Sequence, residues 1–278
     1  KIIHVEHDSC HAAYALYGSP IREDGTLIFT ADAFGDDLSA TISKFDQKNN
    51  VINRIKAYSH TDFQLARIYR LTTLLLKMSP NEHEYKVMGL AAYASNTKYY
   101  QHIYDRLSEL VWLNEDTLEF NSAINTNVAG FFFKKHFSFE RFDNLSAAIQ
   151  KLTEDLVVKW IRAAIKKTGI DVIAVSGGVF MNVKMNQKIL SLPEVKKIYF
   201  QPSCGDESIT IGAAGNTFID KGINLKPINT MFLGHAYSAD KVRTFLEKNS
   251  YFQKYRIDIY RSGWYQGKKK IKSKKLEF

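Results

Sequence analysis

Two histidines stand four residues apart in Glu6-His7-Asp8-Ser9-Cys10-His11. On a helix that spacing puts both imidazoles on one face, a turn apart and close enough to hold one divalent cation. Two donors are not a site, and the remaining ligands must come from elsewhere in the chain. Asp32, at the end of the apolar run Thr26 to Ala31, and Asp206, in a Gly205-Asp206 loop, are the oxygen donors that could complete it. Read singly, such a histidine pair is more often a solvated or capping pair than a metal site, and each aspartate more often a turn former or helix N-cap.

A second kind of chemistry is anion binding. Ser176-Gly177-Gly178 follows the apolar run Asp171 to Val175, and glycine lets backbone amides approach a phosphate at a helix N-terminus. Asn182 then falls one turn into the helix, Gly205 opens the second such loop, and Lys86 beside Gly89 could neutralise phosphate. A tight structural turn and an exposed helical lysine are the alternatives.

The elements that must position these residues are legible from hydrophobic period. Ile2 to Val5 reads as a short buried strand and Cys10 to Tyr17 as a helix closed by Gly18-Ser19-Pro20. Thr26 to Ala31, Leu38 to Phe45 and Val51 to Ala57 read as a strand meander, with Asp32 to Asp37 as a turn. Helices are expected over Asp62 to Lys77, around Glu84 to Ala92, over Thr97 to Leu110 and from Asn144 to Thr168, where Gly169 stops the last. The phenylalanines at 131–133 and 137–142 suit core packing or an exposed patch. Two strand-loop-helix units follow, Asp171 to Ile189 and Lys197 to Ile219, each with glycine at the loop. Such units place ligands at the carboxyl ends of parallel strands, so an α/β architecture is expected.

Composition narrows the field. The 278 residues are 45% hydrophobic and 24% charged, enough for a sizeable core in one large domain or two lobes. No apolar run approaches the roughly 20 residues that span a bilayer, and no signal peptide is recognisable, so a cytoplasmic setting without membrane contact is expected. Cys10 and Cys204 form neither a CxxC pair nor a disulfide framework and are expected reduced. Much of the net charge of +9 sits in the lysines at 268–270 and 272–275; the rest form no basic stripe, so nucleic-acid binding is not indicated.

Taken in order, the motifs resemble the O-carbamoyltransferases that act on nodulation factors, aminoglycosides and cephem antibiotics. Glu6-His7-Asp8-Ser9-Cys10-His11-Ala12-Ala13, with Gly18-Ser19-Pro20 beyond, resembles that family's His-x-x-x-His-Ala block. Ala31-Asp32-Ala33-Phe34-Gly35-Asp36 resembles its Asp-Gly-x-Gly-acidic turn, and Glu84 to Tyr93 its most specific stretch. Ser176 to Asn186 matches a Gly-Gly-Val-x-x-Asn-x-x-x-Asn block, and Gln201 to Asp206 with Gly212-Ala213-Ala214 matches the last. Five ordered blocks span residues 3 to 235. Asp8 stands where a second consecutive histidine is common, Ala33 replaces a turn glycine, and Glu207-Ser208 replaces a pair of small residues.

The resemblance implies an actin-like, sugar-kinase-like ATPase fold of the ribonuclease-H type, here lacking part of its first lobe. It implies residues 1–235 as that domain and 236–278 as a connection toward a YrdC-like C-terminal domain outside this chain, which Gly263 to Gly267 would lead into. It implies iron or a related divalent metal on His7, His11, Asp32 and Asp206, and ATP or carbamoyl-adenylate near Lys86, Gly177, Gly178, Asn182 and Gly205. The activity implied is carbamoyl transfer to a hydroxyl of a sugar-like or antibiotic-like small molecule, with carbamoyl phosphate consumed by the absent domain. The group that deprotonates the acceptor stays open among Asp36, Asp8 and metal-assisted ionisation. A threonylcarbamoyltransferase acting on tRNA and a non-catalytic nucleotide-binding module are the alternative functions.

Overall fold

Alternation along β1 (Leu27–Gly35) decides the layers. Leu27, Phe29 and Ala31 enter the main core, whereas Ile28 enters a second, smaller cluster on the other side of the sheet. In the computed structural model, which describes residues 2–249 apart from 224, 229 and 233, β1 is the central strand of five. It pairs antiparallel with β2 (Leu38–Asp46), which pairs antiparallel with β3 (Val51–Ser59), giving the expected meander. On its other side β1 runs parallel to β6 (Val172–Ser176), and β6 parallel to β7 (Lys197–Phe200), for an order β3-β2-β1-β6-β7. The fold is thus α/β with a mixed sheet.

Two helices carry the faces. α6 (Phe142–Thr168) buries Leu145, Leu152, Leu156, Trp160 and Ile161 and lies in the main core, where the Trp160 ring stands 5.0 Å from that of Phe29. Gly169 ends it at φ 69°, a left-handed conformation suited to glycine. α1 (His7–Tyr17) covers the opposite face with Ala12, Ala13 and Leu16. α8 (Ile209–Asp220) crosses α1 so closely that a Cβ at Gly212 would lie 2.6 Å from the Cys10 carbonyl carbon. α7 (Val183–Leu190) joins β6 to β7.

Between β3 and α6 the chain inserts α2 (Leu65–Leu75), α3 (Glu84–Ala91), α4 (Gln101–Ser108), a hairpin of β4 (Val111–Asn114) and β5 (Glu119–Ser122), and α5 (Ala129–Phe137). α5 falls in the phenylalanine-rich stretch, whose apolar residues follow no clean period. The phenylalanines divide between the two uses expected: Phe133 and Phe137 are buried, Phe131 and Phe139 exposed. By chain contacts the protein divides into Lys1–Asn229 and Thr230–Phe278; among the described elements only α9 (Ala239–Lys248) belongs to the second. No described helix is long and apolar enough to cross a membrane. The lysines at 268–275 and the stretch Gly263 to Gly267 lie outside the described residues.

Three expectations are corrected. Ile2 to Val5 forms no strand, and Ile2 and Ile3 are 84% and 52% exposed; a strand exists only in a ladder, and no described strand pairs with this run. Asp32 to Asp37 is not all turn: β1 continues through Gly35 with an irregularity between Ala31 and Gly35, and the reversal falls on Asp36 and Asp37, at φ 49° and 66°. The helix expected directly after Gly178 is a 3-10 turn, Gly178–Met181, followed by α7, with Asn182 between them.

Candidate metal centre

The centre forms at the carboxyl end of the parallel strands. Thr30 pairs with Ser176 at the end of the β1–β6 ladder, so Asp32 emerges just beyond it, at the irregularity that re-aims a strand residue. α1 begins at the same edge. The His7 amide donates to Asp36 Oδ2 at 2.8 Å, which anchors the first turn of α1 to the β1–β2 reversal. Gly35 lets this happen, since a Cβ there would stand 2.8 Å from His7 Cβ and nearer still to its ring. Ala33 fits without left-handed backbone, because that conformation falls to Asp36 and Asp37.

Four side chains from three separate stretches converge here. His7 and His11 Nε2 are 3.1 Å apart. Asp32 Oδ2 lies 3.2 Å from His11 Nε2 and 3.6 Å from His7 Nε2. Asp206 Oδ1, from the 3-10 turn Asp206–Ser208 before α8, lies 3.4 Å from His7 Nε2 and 3.6 Å from His11 Nε2. One donor atom from each residue lies within 4.8 Å of all the others. Four donors each about 2.1 Å from one ion in a tetrahedral arrangement stand roughly 3.4 Å apart, so the five separations of 3.1–3.6 Å are those of a set able to close on a single cation. The His11 side chain is fully buried while that of Asp206 is 67% exposed, so the centre opens on the Asp206 side.

The electrostatics separate the two carboxylates. Burial alone would raise Asp32, but hydrogen bonds with His11 and His7 hold its carboxyl far below the usual range. Asp206 is pushed up, by burial and then by the neighbouring Asp32 carboxylate. His7 is raised by its hydrogen bond to Asp32, against the opposing effect of burial. Two imidazoles and two carboxylates face inward, and a divalent cation would satisfy all four donors at once.

Behind the donors lies a supporting layer. Ser176 Oγ is 3.5 Å from His11 Nδ1, which leaves His11 Nε2 for the centre. Thr30 Oγ1 donates to buried Asp8 Oδ1 at 2.7 Å, and burial raises the Asp8 carboxyl. The Asp206 turn is tied to α1 by Tyr14, whose hydroxyl donates to the Pro202 carbonyl at 2.5 Å, and by Gln201, whose Nε2 donates to the Tyr14 carbonyl at 2.8 Å. Glu207, in place of a small residue, accepts from Ser203 Oγ at 2.5 Å and from the Gly205 amide at 3.2 Å.

Of the expected phosphate-facing residues, Gly177 and Gly178 border the centre. Gly177 has φ 104°, its amide donates to the Cys204 carbonyl at 3.0 Å, and a Cβ at Gly178 would lie 3.1 Å from Asp32 Oδ1. Gly205 directly precedes Asp206. Asn182 is turned to internal work, accepting from the Met185 amide at 3.1 Å as the N-cap of α7 and pairing with Gln150. Lys86 stands on α3 with its ammonium 5.7 Å from the centroid of the Tyr85 ring and in no ion pair among the described residues. The candidates for a base are both engaged, Asp36 by His7 and Asp8 by Thr30. Ser176 and Gln201 stand in the motif blocks, but their supporting contacts are not legible there; Tyr14 and Gln150 belong to no motif, and Gln150, a polar residue on the apolar face of α6, is the one with a recognisable local signal.

Comparison with known proteins gives the family of the chain. The family described as the carbamoyltransferase N-terminus matches residues 1–215. "Uncharacterized protein MJ1058" of Methanocaldococcus jannaschii is 29% identical over 284 residues, 93% of this chain and 45% of that protein. The nodulation protein NolNO of Sinorhizobium fredii is 27% identical over 220 residues, 77% of this chain and 31% of its own length. The chain thus spans less than half the length of these curated relatives. A crystal structure of full-length HypF in the phosphate- and nucleotide-bound form is similar at 15% identity and a TM-score of 0.47, over 78% of this chain and 43% of that one. With a single family profile covering the α1 histidines, β1 and the Asp206 turn, the chain belongs to the carbamoyltransferase N-terminal family.

Proposed function

We propose that this chain is the group-transfer part of an ATP-dependent O-carbamoyltransferase, which passes a carbamoyl group from carbamoyl-adenylate to a hydroxyl of a sugar-like or antibiotic-like small molecule. Membership of the family makes it part of a transferase. The observation that carries the finer reading is the convergence of His7, His11, Asp32 and Asp206 at separations suited to one ion.

These four residues would hold a divalent metal, with iron as the first choice. Bound there, it supplies Lewis-acid polarisation of the carbamoyl carbonyl. The chain's own residues supply the rest. Ser176 orients His11, and Asp36 and Gly35 set His7. The exposed side of Asp206 leaves room for the reacting groups. Gly177, Gly178 and Gly205 present backbone to the adenylate, Asn182 shapes the first of these turns, and Lys86 lies on the side of the inserted helices as a counter-charge. The sheet order, with its antiparallel meander followed by two parallel strands, suits the actin-like ATPase fold.

Elemental analysis and titration of the full chain with Fe2+ or Co2+ test the centre. One ion per chain is expected, lost when His11 and Asp32 are both replaced by alanine. Tight binding that survives the double replacement would sink the reading. The chemistry is tested by supplying carbamoyl-adenylate and a hydroxyl acceptor to the metal-loaded chain and following carbamoyl transfer.

A further inference from the structure

A polar network sits where the core should be apolar. Gln150, in the middle of α6 and 5% exposed, has every hydrogen-bonding position of its carboxamide in use. Its Nε2 donates to Asn182 Oδ1 at 3.0 Å and to Glu154 Oε1 at 2.9 Å. Its Oε1 accepts from Asn182 Nδ2 at 2.9 Å and from the Tyr69 hydroxyl at 3.0 Å. Buried Glu154 is in turn paired with Lys188 of α7. Such a network contributes little net stability over an apolar core, yet when fully satisfied it holds one geometry rigidly.

What it holds is the glycine turn. Asn182 closes the segment Ser176 to Asn182, in which Ser176 faces His11 and Gly178 backs the Asp32 carboxylate. The rest of the turn is held at other points: Gly177 lies against the Ala31 backbone and its amide donates to the Cys204 carbonyl at 3.0 Å, and Asn186 Nδ2 donates to the Phe180 carbonyl at 2.7 Å, which leaves the Asn182 end to Gln150. We propose that the reciprocal Gln150–Asn182 amide pair is a latch, making Gln150 a positioning residue that fixes the Ser176 to Asn182 turn and through it the orientation of His11 and Asp32. The latch also ties that turn to the inserted helices, through Tyr69 of α2. Its metal-binding consequence rests on the proposed metal centre; its effect on the turn does not.

The test uses the full chain and two variants that open the latch differently. Gln150→Met keeps the volume and removes the amide. Asn182→Ser keeps an N-cap for α7 but cannot reach Gln150. Tyr69→Phe removes a bond to the same carboxamide and leaves the pair intact. Hydrogen exchange over residues 176–182 is expected to accelerate at least tenfold in the first two variants and to stay unchanged in the third. Co2+ titration is expected to show affinity weakened by about 10- to 100-fold in the first two, as for removal of an outer-shell partner, with an altered visible spectrum. Wild-type exchange in folded Asn182→Ser would overturn the latch, since the cap alone would then account for Asn182. Accelerated exchange with wild-type Co2+ affinity and spectrum would overturn its link to the metal ligands. Failure of the unmodified chain to bind Co2+ would instead remove the metal centre, while exchange still decides the latch.

Discussion

Replacing Gly35 by alanine isolates the geometric demand on His7. Gly35 is not in the left-handed region, so alanine can adopt its backbone conformation, and what changes is the added methyl. That carbon would sit 2.8 Å from His7 Cβ, with ring carbons Cγ and Cδ2 nearer still. Carbon atoms settle at roughly 3.5 Å, so the histidine must retreat by at least about 0.7 Å. Metal–ligand bonds tolerate only about 0.2 Å, so His7 leaves the donor set. A four-donor structural zinc site binds with about 10–16 kcal/mol, or roughly 3 kcal/mol per donor, which is about a hundredfold in Kd. Co2+ affinity, measured by competition with a chelator, should therefore weaken by about two orders of magnitude while the fold survives. Gly89→Ala, where an added Cβ meets nothing within 4 Å, should bind Co2+ as the unmodified chain does. A Gly35→Ala protein with unchanged affinity would show that His7 is not a ligand held by this contact.

The Asp206 carboxyl is raised by burial and by Asp32, so in the metal-free fold its carboxylate costs stability once pH is above the ordinary carboxylate range. Asp206→Asn should leave the Tm of chelator-treated protein equal or higher while weakening Co2+ binding about a hundredfold; a lower metal-free Tm would contradict this. His7 titrates above its ordinary value, so it stabilises the metal-free protein below about pH 6.5, and that contribution is lost as pH rises through the raised value. Metal requires the neutral ring, so a pH series of Co2+ titrations should show affinity falling about tenfold per unit as pH drops through the same window, and a flat profile would contradict it. Gly212→Ala drives a methyl into the Cys10 backbone, which cannot turn aside; a loss of about 1–3 kcal/mol, or roughly 3–10 °C in Tm, should appear by calorimetry, with weakened metal binding because the Asp206 turn leads directly into α8.

Much of this protein was legible in local sequence. The α1 histidines have helical spacing, β1, β2, β3, β6 and β7 carry strand patterns, and α6 ends at its glycine, because these features depend on period and backbone preference within a few residues. The four donor residues could be named, yet nothing in their types separates a metal set from a capping pair and two turn formers. Only the tertiary structure brings Asp206 to 3.4 Å from His7, across nearly two hundred residues, because β7 lies two strands from β1 and α8 folds back across α1 at Gly212. The strand expected at Ile2 to Val5 failed for the same reason that the centre succeeded: a ladder, like a ligand set, exists only when distant chain arrives as its partner. The Gln150–Asn182 pair was legible only by half: a glutamine on the apolar face of α6 is a local signal, but its partner 32 residues away is not. Period and composition determined the elements and the candidate donors; the sheet order and the close α1–α8 crossing decided which of them meet.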